Sequence, residues 1–158
     1  MCYKNSLNVL SFFVPRRHFY NYLVLKILFM ENFKHQDITE AIIRAFYKVY
    51  NTLGYGFLEK VYENALFHEL VKMGFLVEKQ KRIKVYYDDI EVGDYFADLV
   101  VDDLVIIEIK AAEGLVIEHE YQLINYLKAT DKEIGLLLNF GKTPQVKRKI
   151  FSNKKIEC

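Results

Sequence analysis

Two charged residues interrupt the end of an otherwise apolar stretch of this 158-residue chain. Glu108 and Lys110 follow Ile106 and Ile107 and flank Ile109, which predicts a buried strand ending in a carboxylate and an amine. Because side chains alternate along a strand, residues two apart point to the same face of the sheet. Burying either charge is costly unless the charge is paired or binds a metal. An isolated Glu-x-Lys is most simply an exposed strand end with solvated charges. Other residues must therefore show whether these two belong to a functional site.

Asp98 supplies a second carboxylate, ten residues before Glu108 and also within an apolar stretch. Across a hairpin, the two carboxylates and Lys110 would form one cluster. Two carboxylates with water suit Mg²⁺, which prefers oxygen ligands, and Mn²⁺ could replace it. A bound metal can generate hydroxide and stabilise charge on a phosphoryl oxygen, while a lysine can hold the attacking water. These residues therefore predict a metal-dependent hydrolytic site.

The cluster depends on the length of the turn between the two strands. If the turn contained only Asp102 and Asp103, Asp98 would face away from Glu108. A three-residue connection that includes Leu104, or a bulge, would place the two carboxylates opposite each other. The metal hypothesis therefore requires the longer connection or a bulge.

Two helical features could join the cluster. Glu59 opens a predicted helix three residues after Gly56, and Gln122 lies on the helix predicted after the Glu-x-Lys strand. Taken alone, Glu59 is a favourable negative charge in the first turn of a helix. Gln122 alone is most simply a surface residue.

Periodic apolar positions predict three helices. Asp37 and Glu40 have the spacing of a capping box at the start of the first helix. Val61 is expected on the inward face of the second helix, and Gly74 is expected to end it. The predicted helices comprise residues 37–53, 58–73 and 118–129.

Apolar, β-branched and aromatic runs separated by turn signals predict the strands. Two hairpins are expected, around Asp88-Asp89 and around Asp102-Asp103, followed by a buried strand and a short edge strand. The predicted strands comprise residues 83–87, 90–92, 95–101, 104–110, 134–138 and 146–151. The order is helix, helix, several strands, helix, strand, strand, which indicates one α/β domain.

Composition narrows the class of protein. The chain is 52% hydrophobic and 27% charged, which excludes a wholly disordered or collagen-like chain. The formal net charge of +1 argues against binding nucleic acid by bulk charge alone. Cys2 and Cys158 suggest neither a zinc site nor a disulfide framework, and with no secretory signature they favour the cytoplasm.

The first 29 residues differ from the rest. We expect residues 1–29 to be a non-core extension, as an upstream start codon would produce, and residues 30–158 to form the single domain. The apolar runs in the extension are shorter than the roughly 20 residues that span a bilayer, so no stable membrane insertion is expected. A membrane-surface segment and a genuine structural element are the alternatives.

Taken together, the site residues resemble the signature of the GxxExxY protein family, a branch of the PD-(D/E)XK nuclease superfamily. The resemblance covers roughly residues 35–152. The matching residues, in order, are Gly56-x-x-Glu59-x-x-Tyr62, Asp98, Glu108-Ile109-Lys110-Ala111, His119-x-x-Gln122-x-x-x-Tyr126-Leu127, Gly135-Leu136-Leu137-Leu138-Asn139-Phe140-Gly141 and Val146-Lys147-Arg148.

The resemblance implies a restriction-endonuclease-like core, in which a mixed central β-sheet is flanked by α-helices. It implies that Asp98 and Glu108 bind the metal, that Glu59 helps to bind the metal or orient its water, and that Lys110 is the catalytic lysine. Gln122 and Tyr126 would organise the site or contact DNA.

The leading hypothesis is therefore a Mg²⁺-dependent nuclease whose substrate is DNA, with RNA as the less favoured alternative. Basic residues could bind backbone phosphates, although solvated charge on edge strands is the competing interpretation. The candidates for this role are Lys79, Arg82, Lys147 and Arg148, with Lys81, Lys84, Lys142 and Lys149 beside them. The rival hypothesis is a catalytically silent module that binds nucleic acid or protein. In either case, a homodimer or a partner protein could supply specificity.

Overall fold

The computed structural model describes residues 35–152, and the predicted extension 1–29 lies outside this range. The described part folds into three helices and five strands. In chain order they are α1 (Gln36–Leu53), α2 (Glu59–Lys72), β1 (Val77–Tyr87), β2 (Ile90–Val101), β3 (Val105–Lys110), α3 (Ile117–Lys128), β4 (Ile134–Asn139) and β5 (Gln145–Ile150). The predicted order of elements is confirmed.

The five strands form one mixed sheet in the order β1-β2-β3-β4-β5. Strands β3 and β4 are parallel, with α3 between them in sequence, and the other neighbouring strands are antiparallel. The strand that carries Glu108 and Lys110 is thus the central one. The predicted fold class, an α/β restriction-endonuclease-like core with helices flanking a mixed sheet, is confirmed.

Helices cover both faces of the central strand. On one face, α1 and α2 contribute Phe46 and Leu66 to a buried cluster that includes Ile107. On the other face, α3 contributes Leu123 to a second cluster that includes Ile106. Because neighbouring residues of β3 belong to different clusters, the strand is buried on both sides, which explains its nearly continuous apolar sequence.

The connection between β2 and β3 has the length that the metal hypothesis requires. Val101 pairs with Val105, so Asp102, Asp103 and Leu104 form a three-residue connection. Its two aspartates adopt positive φ values of 50° and 55°, a conformation that aspartate tolerates better than most residues. Continuing the register one residue past the Leu99–Ile107 pair places Asp98 opposite Glu108.

Two expectations about the helices are wrong. Asp37 does not cap α1, because the N-cap position is His35 and Asp37 lies in the first turn. Instead, Gln36 donates a hydrogen bond to Glu40 across that turn at 2.6 Å. Val61 was expected to face inward but is 39% exposed. The residues of α2 that face the core are instead Tyr62 and the residues four and eight positions after it.

The first hairpin is longer than the sequence indicated. Its Asp88-Asp89 turn is confirmed, with positive φ at both residues. However, residues 90–92 and 95–101 belong to a single strand, β2, because Gly93 stays in the ladder opposite Val85. The glycine and aspartate at positions 93 and 94, which resemble a turn signal, are therefore accommodated within a strand.

No helix within residues 35–152 is both long enough and apolar enough to cross a membrane.

The contact between α3 and β4 leaves no room for a side chain at Gly135. A Cβ atom at this position would lie 2.6 Å and 2.8 Å from the Cδ1 and Cγ atoms of Leu123. We expect Gly135→Ala to lower the free energy of unfolding by about 1–3 kcal/mol through overpacking. Chemical denaturation measures the effect, and Gly114→Ala is the matched control because its Cβ would meet nothing closer than 4.0 Å. Equal stability of the two variants would show that the helix does not pack this closely on the sheet.

Candidate active site

The candidate site lies where β2 and β3 separate. Their ladder ends at the pair Leu99 and Ile107. Beyond this pair, β2 no longer provides a backbone acceptor for β3. Instead, the Oδ2 atom of Asp98 accepts a hydrogen bond from the backbone N–H of Ile109 at 2.7 Å. The partly buried Asp98 carboxylate therefore lies beside the middle residue of Glu108-Ile109-Lys110.

Glu108 and Lys110 form a buried ion pair on the expected common face. The Lys110 Nζ atom donates to Glu108 Oε1 at 2.7 Å, and the side chains are 14% and 3% exposed. The second oxygen, Glu108 Oε2, is buried and has no hydrogen-bond partner among residues 35–152. A buried polar atom without a partner is uncommon and costly, so this oxygen is available to a further ligand.

Burial and nearby negative charge raise the pKa of both carboxyl groups, those of Asp98 and Glu108. Burial, followed by the negative charge of Asp98, raises the pKa of Glu108 to about 7, although the hydrogen bond from Lys110 opposes the shift. Burial also raises the pKa of Asp98, against the hydrogen bond from Ile109. The site therefore favours a cation that would compensate both carboxylates.

Glu59 reaches the end of β3 from α2, which packs on the face of the sheet opposite to Glu108 and Lys110. Its exposed side chain accepts a hydrogen bond through Oε1 from the backbone N–H of Ala111 at 3.3 Å. Its negative charge also contributes to the raised pKa of Glu108. Glu59 thus adds a third carboxylate near the other two, at the first residue of its helix.

Tyr62 fixes the loop that delivers Glu59. Its side chain is fully buried and stacks on Phe140 with ring centroids 4.2 Å apart. Its hydroxyl donates to the carbonyl oxygen of Gly54 at 2.9 Å and accepts from the N–H of Phe57 at 3.2 Å. Tyr62 is therefore a packing residue whose hydroxyl is satisfied by two hydrogen bonds.

Gln122 and Tyr126 approach the carboxylates from α3. The amide of Gln122 donates to the hydroxyl of Tyr126 at 2.7 Å. Burial raises the pKa of Tyr126 to about 12, and the charges of Glu108 and Asp98 add to the shift. The phenol therefore stays protonated at neutral pH and can donate a hydrogen bond beside the acidic site.

The predicted phosphate-binding residues lie at opposite edges of the sheet. On β1, Arg82 is paired through Nε with Asp94 and through Nη2 with Glu91, each at 2.6 Å. Lys79, also on β1, bonds to Asn64 and lies 3.8 Å from Glu63. The charges of β1 are therefore largely balanced by neighbouring acids.

On β5, Lys147 belongs to the same cross-strand row as the acidic site. It pairs with Leu137 of β4, which in turn pairs with Glu108. Two inter-strand spacings amount to about 10 Å, which is the separation between the backbones of this exposed lysine and of Glu108. Arg148 belongs to the alternate row and is half-buried, and burial lowers its pKa.

Two residues near the site could not be identified from the sequence motifs. Glu63, one helical turn after Glu59, is buried, and the side-chain amide of Gln80 lies between it and Asp98. Gln80 lies in β1, and the polar sequence around it is typical of an edge strand. Glu63 lies next to Tyr62 and three residues before Leu66, both of which are buried, and this spacing was the local signal for its burial. Nothing local indicated Gln80.

The donor set fits a divalent ion held by few protein ligands. No group of three or more His, Cys, Asp or Glu side chains within residues 35–152 is arranged to hold a metal by itself. Mg²⁺ typically takes only one or two carboxylates and completes its shell with water and substrate phosphate. Asp98 and Glu108, with the buried Oε2 atom available, match that requirement. Glu59 stays a predicted additional ligand.

An α/β core with carboxylates and a lysine at the end of its central strand defines a nuclease-like class of protein. A family model of the PD-(D/E)XK nuclease superfamily matches residues 36–150, and the chain belongs to this superfamily. No curated protein and no solved structure matches the chain. The family match spans every helix and strand described above, including all the predicted site residues.

The raised pKa of Glu108 predicts a stability that changes with pH. The folded protein holds this proton more tightly than the unfolded chain, so ionising Glu108 between about pH 4.5 and 7 costs stability. Glu108→Gln cannot ionise and does not pay this cost. As the pH rises through this interval, we expect its free energy of unfolding to increase relative to that of the wild type by up to roughly 3 kcal/mol. Denaturant unfolding with EDTA at pH 4.5 and 8 measures the difference.

Glu118→Gln, at an exposed position of α3, is the control for replacing a carboxylate. A stability difference between Glu108→Gln and the wild type that is the same at both pH values would contradict the raised pKa.

Proposed function

We propose that this chain is a Mg²⁺-dependent nuclease of the GxxExxY branch that hydrolyses phosphodiester bonds of DNA. Mn²⁺ would serve as an alternative ion. The observation that carries the proposal is the joint position of Asp98, Glu108 and Lys110. Two carboxylates from neighbouring strands meet beside a buried ammonium group, and one buried carboxylate oxygen is left to accept a ligand.

The protein's own groups would divide the chemistry among them. Asp98 and Glu108 would hold the metal, which would lower the pKa of a water molecule and stabilise charge on the phosphate. Lys110 would exchange its bond to Glu108 for one to the attacking water and would offset the negative charge that develops on the phosphate. Glu59, anchored on the N–H of Ala111, would orient a second water molecule at the same strand end.

A cleft beside the site offers a path for the substrate backbone. A cavity of about 550 Å³ lies at the carboxyl ends of β3 and β4, lined by Gly56, Ala111 and Lys142 among others. Ala111 is also the residue that contacts Glu59. A nucleic-acid strand lying in this cleft would pass Ala111 and so bring its phosphates past the neighbouring Lys110. Lys142 would be able to contact the phosphate backbone.

Substitution of the central residues tests the proposal. We expect Asp98→Ala to abolish metal-dependent cleavage and Lys110→Ala to reduce kcat by about 10²–10³-fold, because each removes a charge that acts in the transition state. Labelled DNA and RNA substrates incubated with Mg²⁺ or Mn²⁺ provide the measurement. Glu118→Ala and Lys72→Ala remove exposed charges elsewhere and should cleave at the wild-type rate.

The same assay separates the nuclease from the alternative. Cleavage that survives both Asp98→Ala and Lys110→Ala would reject the assigned site. A wild type that binds neither Mg²⁺ nor Mn²⁺ and cleaves no substrate would favour a silent binding module. Comparison of cleavage of DNA and of RNA decides the preferred substrate, and sedimentation of the wild type decides whether the protein forms a homodimer. The cytoplasmic location stays a prediction from cysteine usage.

Lys147 and Arg82 should contribute differently to DNA binding. Lys147 is exposed in the row of Glu108, whereas the guanidinium of Arg82 is already held by two carboxylates. We expect Lys147→Ala to weaken binding and to reduce the slope of log K against log salt by about one, as the loss of one phosphate contact does. Fluorescence anisotropy with EDTA at several salt concentrations measures it.

Arg82→Ala should leave that slope nearly unchanged. The reverse ranking of these two variants would place the DNA on the β1 edge instead of the β5 edge.

A further inference from the structure

A buried carboxylate with no role in the proposed chemistry lies on α2. Glu63 is 3% exposed, although it is ionisable and lies in a helix that packs on the sheet. Its two oxygens accept hydrogen bonds from Lys60 Nζ at 2.8 Å and 2.9 Å. Its Oε2 atom also accepts from Gln80 Nε2 at 2.9 Å. A buried charge is retained at a cost, so its bonding partners indicate what it does.

Gln80 connects this carboxylate to the candidate metal site. The same Nε2 atom donates to Asp98 Oδ1 at 3.3 Å. An amide nitrogen carries two hydrogens, so one side chain can bridge two carboxylates. In the reverse orientation the amide oxygen would face two acceptors, which makes the bridging orientation the favoured one. Glu63, Gln80 and Asp98 therefore form a chain of hydrogen bonds from α2 through β1 to β2.

The backbone at Gln80 is distorted at the point where this chain forms. Gln80 has a φ of 50°, in the left-handed region, where the backbone of a residue other than glycine is strained. The β1–β2 ladder includes Lys79 with Leu99 and Lys81 with Ala97, but the intervening Gln80 and Asp98 are not a ladder pair. The conformation that Gln80 adopts instead allows its side chain to contact both carboxylates.

The two oxygens of Asp98 are thus held from different sides. The N–H of Ile109 fixes Oδ2 at 2.7 Å, and Gln80 fixes Oδ1 at 3.3 Å. A carboxylate held at only one oxygen can rotate about its Cβ–Cγ bond, whereas one held at both keeps a single orientation. Each oxygen still has a lone pair for a further ligand. Hydrogen bonds of this kind commonly orient metal-binding carboxylates.

We propose that Gln80 and Glu63 are positioning residues that fix Asp98 for divalent-metal binding, an inference that rests on the proposed nuclease function. Glu63 anchors the amide of Gln80, and Gln80 in turn orients Asp98. Neither residue contacts the substrate. Because Gln80 is exposed, the substitution of its side chain tests the role without removing core packing.

The test measures Mn²⁺ binding by isothermal titration calorimetry in the absence of nucleic acid. We expect Gln80→Leu to weaken Mn²⁺ binding by about 10–100-fold, because both bridging bonds are lost. Gln80→Asn, which suits a left-handed backbone but is one methylene too short to reach both carboxylates, should weaken it similarly. Activity should fall mainly in kcat, recover partly with excess metal, and leave KM for the nucleic acid unchanged.

Variants of Glu63 separate positioning from packing. Glu63→Gln keeps an oxygen that accepts from Gln80 and should bind Mn²⁺ nearly as the wild type does. Glu63→Leu keeps the volume but removes the acceptor, so it should weaken Mn²⁺ binding even where thermal unfolding shows an intact fold. Gln36→Leu is the matched control for Gln80→Leu, since within residues 35–152 the side chain of Gln36 bonds to Glu40 and to no residue of the site.

Two results would overturn the inference. One is Mn²⁺ binding by Gln80→Leu that equals wild-type binding. The other is a loss of binding that tracks thermal stability equally in Glu63→Gln and Glu63→Leu. A wild type that neither binds Mn²⁺ nor cleaves nucleic acid would overturn the proposed function together with the positioning role. Normal wild-type binding and cleavage with an unaffected Gln80→Leu would overturn the positioning role alone.

Discussion

The separation of β2 from β3 is the constraint on which the site depends. A sheet that opens before its strands end leaves backbone N–H groups without acceptors, and a buried N–H without an acceptor is costly. Here the carboxylate of Asp98 accepts from Ile109, so the strands can diverge while this donor stays satisfied. The same bond brings Asp98 next to Glu108. A requirement of backbone hydrogen bonding thus also produces the pair of carboxylates.

The rest of the core supports a carboxylate that is expensive to bury. Strand β4 is buried along its whole length and holds β3 by six consecutive parallel pairs. At the end of that ladder, Asn139 bonds through Oδ1 to the N–H of Ala112 and through Nδ2 to its carbonyl oxygen, both at 3.0 Å. These bonds fix the chain just after Lys110, which keeps the Glu59 contact at Ala111 in place. Asn139 therefore stabilises the site without touching its charged groups.

Short-range patterns in the sequence predicted an α/β domain, whereas the restriction-endonuclease-like core was implied by the family resemblance. Alternation along β3 placed Glu108 and Lys110 on one face, and the turn length decided whether Asp98 joined them. By contrast, Gln80 depends on a backbone conformation that glutamine does not ordinarily favour, so no propensity rule could have indicated it. The Asp37 cap is also wrong, because the helix begins two residues earlier than that cap requires, with His35 at the N-cap position.

The near-neutral net charge conceals two different uses of acidic residues. Between residues 88 and 120 the chain has eleven Asp or Glu residues and one Lys or Arg residue, Lys110. Several of these acids neutralise lysines and arginines of neighbouring strands, as Glu91 does for Arg82 and Lys84. Asp98 and Glu108 differ, because Glu108 is buried, Asp98 is partly buried, and both are near one ammonium group, that of Lys110. It is this crowding of two carboxylates away from solvent, more than the total number of acids, that favours a divalent ion.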